Sequence, residues 1–200
     1  RILQQMPGLA DYSDLMESSS SGDGDLPAWN SLSSAVQCLA TGLSRCAMVK
    51  YEGRYAAGWD THSDNAFQSF HFIDLFDHLE ALMQTLSTQT GLFGTPLLDE
   101  VTVVVFSEMG RSPLLNSFDG KDHFTYTSAM LMGSGIRGGT VIGGTDDYGV
   151  GQFVDLDSGA VSDLGEALDA KHLGSTLLQL GSAPTPDDLT EFPPITAAID

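Results

Sequence analysis

The chain has 200 residues, and its 27 acidic side chains outnumber its 8 basic ones, which gives a formal net charge of -19. A charge of this sign and size repels a phosphate backbone and so excludes nucleic acid as a partner. It suits a secreted protein, a salt-tolerant protein or one that collects cations, although solvation alone accounts for most of it. No apolar run is long enough to span a membrane, and 42% hydrophobic residues in a chain of this length can bury one core.

The composition divides the chain into three segments. Residues 1–29 are polar and predicted to be flexible, because the stretch Ser18–Asp25 reads SSSSGDGD and cannot pack a core. Residues 30–181 carry the periodic patterns of a folded domain, and residues 182–200 form a proline-rich tail that we expect to lie extended on the surface. The chain begins with Arg1 and shows no signal sequence, so we expect it to be a piece of a longer precursor.

The first predicted helix is capped by Asn30 or Ser31 and carries an apolar face at spacings of three and four. That face consists of Leu32, Val36, Leu39 and Leu43. Cys46–Tyr51 then predicts a short strand. Cys38 and Cys46 could form a disulfide only if the chain doubles back, and two buried free thiols are the favoured interpretation.

A longer helix is predicted from Asn65 to Leu86, with an apolar stripe that indicates core packing. The stripe consists of Phe67, Phe70, Ile73, Phe76, Leu79, Met83 and Leu86. His71 and His78 lie two turns apart on this helix. A solvated or half-buried pair is favoured over a pair of metal ligands.

The run Val101–Phe106 predicts a strand buried on both faces of a parallel sheet, because every residue in it favours strands and most are apolar. Further strands are predicted at Ser128–Met132 and Thr140–Ile142, with short extended pieces at Phe153–Asp157 and Val161–Leu164. A last helix is predicted over Leu173–Leu180. This alternation of helices and strands indicates an α/β fold.

Two clusters of side chains could carry chemistry, and each follows a predicted strand. The first is Asp60 with His62, and the second is Glu108 with Asp122 and His123. Ligands gather beyond the carboxyl ends of strands in open α/β sheets, and carboxylates with neutral imidazoles are the ligands of Zn²⁺ and Mn²⁺. Taken singly, each cluster also fits an ordinary capping or hydrogen-bonding role.

Arg111 lies between the members of the second cluster. Its guanidinium could hold a phosphate or sulfate oxygen through a forked hydrogen bond, or it could simply pair with Glu108.

Four stretches together resemble the DUF1501 family of secreted bacterial proteins, within the alkaline phosphatase and sulfatase superfamily. They are GWDTHSDN (58–65), VVVFSEMGRSPLLN (103–116), GKDHF (120–124) and GSGIRGGTVIGGTDD (133–147). The resemblance covers most of residues 30–181. Met109 stands where an aromatic residue is more usual.

The resemblance implies an alkaline-phosphatase-like sheet with helices on both faces, incomplete without an amino-terminal segment. It places Asp60 and His62 at the first metal, with a later histidine, His123, completing that site. Ser107 and Glu108 fall where the family pattern usually has Asp-His, so the second metal would have fewer good ligands. The implied cofactor is a divalent metal, Zn or Mn, with Ca and Mg as alternatives.

The resemblance further implies a metal-dependent hydrolase of phosphate or sulfate esters, located in the periplasm or outside the cell. Its substrate would be a small anionic ester or a sulfated or phosphorylated glycan. The superfamily nucleophile comes from an amino-terminal segment that these residues do not include, so that segment or a partner chain is an expected partner. The alternative is a non-catalytic secreted protein that keeps the fold as a binding or assembly surface.

Overall fold

A computed structural model describes residues 26–53 and 58–200, with side chains from residue 30 onward. The predicted flexible segment 1–29 therefore lies outside the described residues, apart from the helical backbone that begins at residue 26. Two compact units are present. The first comprises the described residues through Val101 together with Leu114–Asp122, and the second comprises Thr102–Pro113 together with His123–Asp200.

The first unit contains two helices, α1 (Leu26–Ala40) and α2 (Phe67–Thr88), and a 3-10 turn at Leu97–Asp99. The predicted first helix is confirmed, but it begins before either predicted cap, so the capping prediction is wrong. Its apolar face is anchored by Val36, which is 2% exposed. Residues 46–51 take no strand pairing within the described ranges, which contradicts the strand predicted there, and Cys46 is exposed rather than buried.

Helix α2 buries a polar face rather than the aromatic stripe that its sequence indicates. The side chains of Phe67, Phe70, Ile73 and Phe76 are 44–57% exposed, whereas the buried residues are His71, Asp74, His78, Leu82 and Leu86. The polar residues can be buried because they find partners. The Tyr51 hydroxyl donates to the Asp74 carboxylate, and His78 Nδ1 lies 2.7 Å from the Asp74 carbonyl oxygen. The predicted stripe was therefore wrong at its first four residues, whereas Leu79 and Met83 are half-buried and Leu86 is buried.

The second unit contains strand β1 (Thr102–Phe106), the short strands β2 (Gly110–Arg111) and β3 (His123–Phe124), and strand β4 (Ala129–Gly133). The two long strands lie where the sequence predicts them. They pair with each other in antiparallel register, Thr102 opposite Gly133 and Phe106 opposite Ala129, so a parallel neighbour of β1 is not found among the described residues. The chain reverses direction through the antiparallel β2–β3 pair, which brings β4 back beside β1 in the opposite direction. Strand β1 is half-buried rather than enclosed, and the alkaline-phosphatase-like sheet stays a prediction.

The carboxyl-terminal part holds β5 (Phe153–Val154), β6 (Glu166–Ala167), helix α3 (Ala170–Leu180) and 3-10 turns at Asp187–Leu189 and Thr196–Ala198. The predicted last helix is confirmed, whereas residues 140–142 form no strand.

The expectation that the tail lies extended on the surface is wrong at its end. Ala197 and Ala198 are 3% and 6% exposed. The Ala198 carbonyl accepts a hydrogen bond from the Arg137 backbone N–H, and the Thr196 hydroxyl donates to the Leu156 carbonyl oxygen. Small side chains and backbone hydrogen bonds thus bring the tail back onto this unit.

No helix in the described ranges combines the length and the hydropathy that crossing a bilayer requires.

Candidate metal centre

Two loops of the first unit meet along their backbones. We call residues 58–65 the first loop and residues 114–122 the second loop. Lys121 N–H donates to the Thr61 carbonyl oxygen at 2.9 Å, and Asn65 N–H donates to the Asp119 carbonyl oxygen at 2.8 Å. Asp64 N–H adds a longer bond of 3.2 Å to the second loop. Segments far apart in the sequence are therefore held side by side by backbone hydrogen bonds.

Gly120 is the residue that lets the two loops touch. It is buried, and a Cβ added there would lie 2.0 Å from the carbonyl oxygen and 2.1 Å from the carbonyl carbon of His62. No side chain fits that space, so only glycine permits the contact. The close approach fixes the backbone of His62 against the second loop.

Helix α2 holds the first loop from the other side. Gln68 Nε2 donates to the Thr61 hydroxyl oxygen at 2.8 Å and to the Trp59 carbonyl oxygen at 3.2 Å. Thr61 is only 3% exposed, and the Trp59 ring lies 5.2 Å from the ring of His71 between centroids. Asp60 therefore projects from between two residues whose positions are fixed by the helix.

The ring of His71 packs against this loop at Trp59. Burial lowers the pKa of its imidazole below the ordinary value, against the opposing effects of a hydrogen bond to the Gly58 backbone and of the nearby Asp74 carboxylate. The neutral ring can then pack against Trp59 and against the backbone at Gly53.

The Asp60 carboxylate and the His62 imidazole meet at the exposed side of the first loop. His62 Nδ1 lies 2.5 Å from Asp60 Oδ1, and these side chains are 44% and 68% exposed. His123 follows Asp122, the last residue of the second loop, directly in the chain. Of the three residues that the resemblance assigns to one metal, Asp60 and His62 are thus in direct contact within the first unit, and His123 belongs to the second.

A comparison with protein-family models matches residues 10–173 to the family described as a protein of unknown function (DUF1501). The chain belongs to the DUF1501 family. The family resemblance read from the sequence motifs is thereby confirmed, and the wider superfamily stays a prediction. No curated protein and no solved structure matches the chain.

The remaining predicted site residues of this DUF1501 chain have local partners. The Asp122 carboxylate accepts a hydrogen bond from Asn116. Glu108 is exposed and accepts from the neighbouring Ser107 hydroxyl at 3.3 Å. Arg111 is paired with His123 across the β2–β3 ladder, and directly opposed residues project from the same face of a sheet.

Sequence reasoning did not single out Asn116, Gln68 or Gly120 in the DUF1501 chain. Asn116 begins the run N-S-F-D-G, a composition typical of a turn closed by an asparagine side chain, which is the one signal that could have found it. Gln68 gave no such signal, because a glutamine near the start of a helix is ordinary.

Proposed function

We propose that this DUF1501 chain binds a divalent cation through Asp60, His62 and His123 and contributes that site to the hydrolysis of phosphate or sulfate esters outside the cytoplasm. The observation that carries the proposal is the contact of the Asp60 carboxylate with the His62 imidazole, 2.5 Å apart on a loop whose residues Thr61 and His62 are held by hydrogen bonds. The family resemblance assigns His123 to the same metal.

The chemistry of the donors selects the cation. One carboxylate oxygen and two imidazole nitrogens suit Zn²⁺ or Mn²⁺, whereas Ca²⁺ and Mg²⁺ take oxygen ligands almost exclusively. A cation bound at both atoms would replace the hydrogen bond that His62 Nδ1 and Asp60 Oδ1 now share.

Arg111 supports an anionic substrate. Its backbone position opposite His123 puts a permanent positive charge on the same face of the ladder as a proposed ligand. A guanidinium can bind two oxygens of a phosphate or sulfate group at once, which orients the ester. A bound cation would supply a Lewis acid that polarises the same group.

The test uses the intact protein as secreted. We expect stoichiometric Zn²⁺ or Mn²⁺ after metal loading and turnover of an aryl phosphate or an aryl sulfate. Asp60→Asn and His123→Ala should each lower metal occupancy and turnover by at least tenfold, because each removes a ligand. Asp163→Asn makes the same charge change at an exposed position and serves as the control. Full metal occupancy in both ligand variants would refute the proposal.

One observation favours the non-catalytic alternative. Phe72, Ile73 and Phe76 on α2 are 47%, 57% and 53% exposed, and neighbouring exposed apolar side chains suit a surface that assembles with another protein. In that case the intact protein should bind the metal without hydrolysing either ester, and it should sediment as a multichain complex.

A further inference from the structure

We infer that Asn116 is a positioning residue that fixes His62, a proposed imidazole ligand, against the second loop. This inference rests on the proposed metal site. The geometry behind it is a single side-chain amide that bonds to the first loop at His62 and to the second loop at Asp122, the residue before His123.

The amide of Asn116 uses every hydrogen bond that it can make. Nδ2 has two protons, and it donates one to the His62 carbonyl oxygen at 2.9 Å and one to Asp122 Oδ1 at 3.0 Å. Oδ1 has two lone pairs, and it accepts from the backbone N–H of Phe118 at 2.9 Å and of Gly120 at 3.1 Å. A planar group bonded in four directions cannot rotate, so its two ends are fixed relative to each other.

The oxygen and the nitrogen of the Asn116 amide have different roles. The oxygen closes the turn of the second loop, which is the usual role of an asparagine in such a turn. The nitrogen reaches out of the turn to the backbone that carries the His62 imidazole and to the side chain that precedes His123. The position of the His62 ligand therefore depends on the NH₂ group, and the fold of the turn depends on the oxygen.

Apolar packing does little to fix the second loop. The side chains of Leu115 and Phe118 are 57% and 73% exposed, so the loop is held mainly by its hydrogen bonds. Among these bonds, the two from Asn116 Nδ2 are the ones that link a proposed ligand residue to the neighbour of another. A change at this nitrogen should therefore alter the metal site before it alters the fold.

Asn116→Asp separates the two roles, because it keeps an oxygen for the turn and replaces the NH₂ donor by a second acceptor. It also places a negative charge beside the Asp122 carboxylate, which pushes the two apart. Asn30→Asp makes the same chemical change at an exposed position of α1 and is the matched control. Asn116→Ser is the second variant, since a hydroxyl can still close the turn but is too short to reach His62.

The experiment titrates the intact protein with Co²⁺ as a spectroscopic substitute for Zn²⁺ and records the visible absorption bands. We expect the wild type and Asn30→Asp to give the same bands and the same affinity. Asn116→Asp should bind about tenfold to hundredfold more weakly, with shifted or weakened bands, while its metal-free melting temperature stays close to that of wild type. If Asn116→Asp does not fold, Asn116→Ser gives the same comparison.

The possible results distinguish this inference from the proposed metal site on which it rests. A wild-type protein that binds no Co²⁺ refutes the metal site itself. Wild-type binding together with unchanged bands and affinity in the Asn116 variants overturns the positioning role alone. A variant whose affinity falls only as far as its melting temperature falls, with unaltered bands, shows a structural role and overturns the inference as well.

Discussion

Replacing Gly120 by alanine tests whether the close contact of the two loops is needed for stability. The added Cβ would lie 2.0 Å from the His62 carbonyl oxygen, and real Cβ atoms essentially never approach within 3.0 Å of another heavy atom. The loops must therefore separate by about 1 Å, the difference between these two distances. A shift of that size stretches the 2.9 Å bond from Asn116 Nδ2 to the same oxygen beyond the hydrogen-bond range.

The energetic cost follows from the bonds that such a shift breaks. The bonds from Asn116 to His62 and from Lys121 to Thr61 both lie beside the contact, and each contributes roughly 1 kcal/mol. Residual overpacking lowers the stability by about a further 1–3 kcal/mol. The lower conformational entropy of the unfolded chain with alanine raises the stability by about 0.4–1 kcal/mol. We therefore expect Gly120→Ala to lower the free energy of unfolding of the first unit by about 2–5 kcal/mol.

Urea unfolding measures this change when it is followed through the fluorescence of Trp59, a residue of the first loop whose ring packs against His71. A Trp29→Phe background isolates that signal, because the chain has two tryptophans. Gly138→Ala is the control, since its added Cβ meets nothing within 4 Å and its backbone is not in the left-handed region. A Gly120→Ala protein within about 0.5 kcal/mol of the wild type would refute the argument, because the loops would then not be in contact.

Two further predictions concern buried histidine and helix capping. Because burial lowers the pKa of His71 in the folded state, its stabilising contribution is full above the unfolded pKa near 6.5 and is lost as the pH falls through the folded pKa. This group should lower the free energy of unfolding by at most about 1.4 kcal/mol for each pH unit of acidification. The variant His71→Gln should show a smaller dependence of stability on pH in urea titrations followed through Trp59 fluorescence. An equal dependence in the variant and the wild type contradicts the prediction. Asp169 caps α3 by accepting from Lys171 N–H at 2.8 Å, so Asp169→Ala should cost about 1 kcal/mol in calorimetry, whereas Asp169→Asn, which keeps an acceptor, should cost much less. Equal losses in the two Asp169 variants would show that the cap contributes nothing.

The sequence by itself determined the features that depend on local order along the chain. Apolar periodicity placed both long helices and the last one within a few residues of their observed ends, because a helix repeats every 3.6 residues whatever it packs against. The strand-forming runs gave β1 and β4 for the same reason. The motifs around Asp60 and His123 also identified the family, since the residue types and spacings are properties of the sequence alone.

Tertiary structure decided which of several possible faces and partners the chain uses. Helix α2 has apolar residues on one face and His71, Asp74 and His78 on another. The polar face is buried because Tyr51 and the loop at Trp59 supply hydrogen bonds and aromatic contacts that no local pattern reveals. The antiparallel pairing of β1 likewise depends on how the chain returns, and not on the composition of the strand.

The proposed site is decided in the same way. Sequence supplied the ligand types at Asp60, His62 and His123, but the position of the His62 backbone depends on contacts between residues far apart in the sequence, such as that from Asn116 to His62, 54 positions away. Those contacts form because a glycine at position 120 leaves room for a carbonyl group and an asparagine amide bonds to both loops. This fit depends on both loops at once, so it cannot be predicted from the sequence of either loop alone.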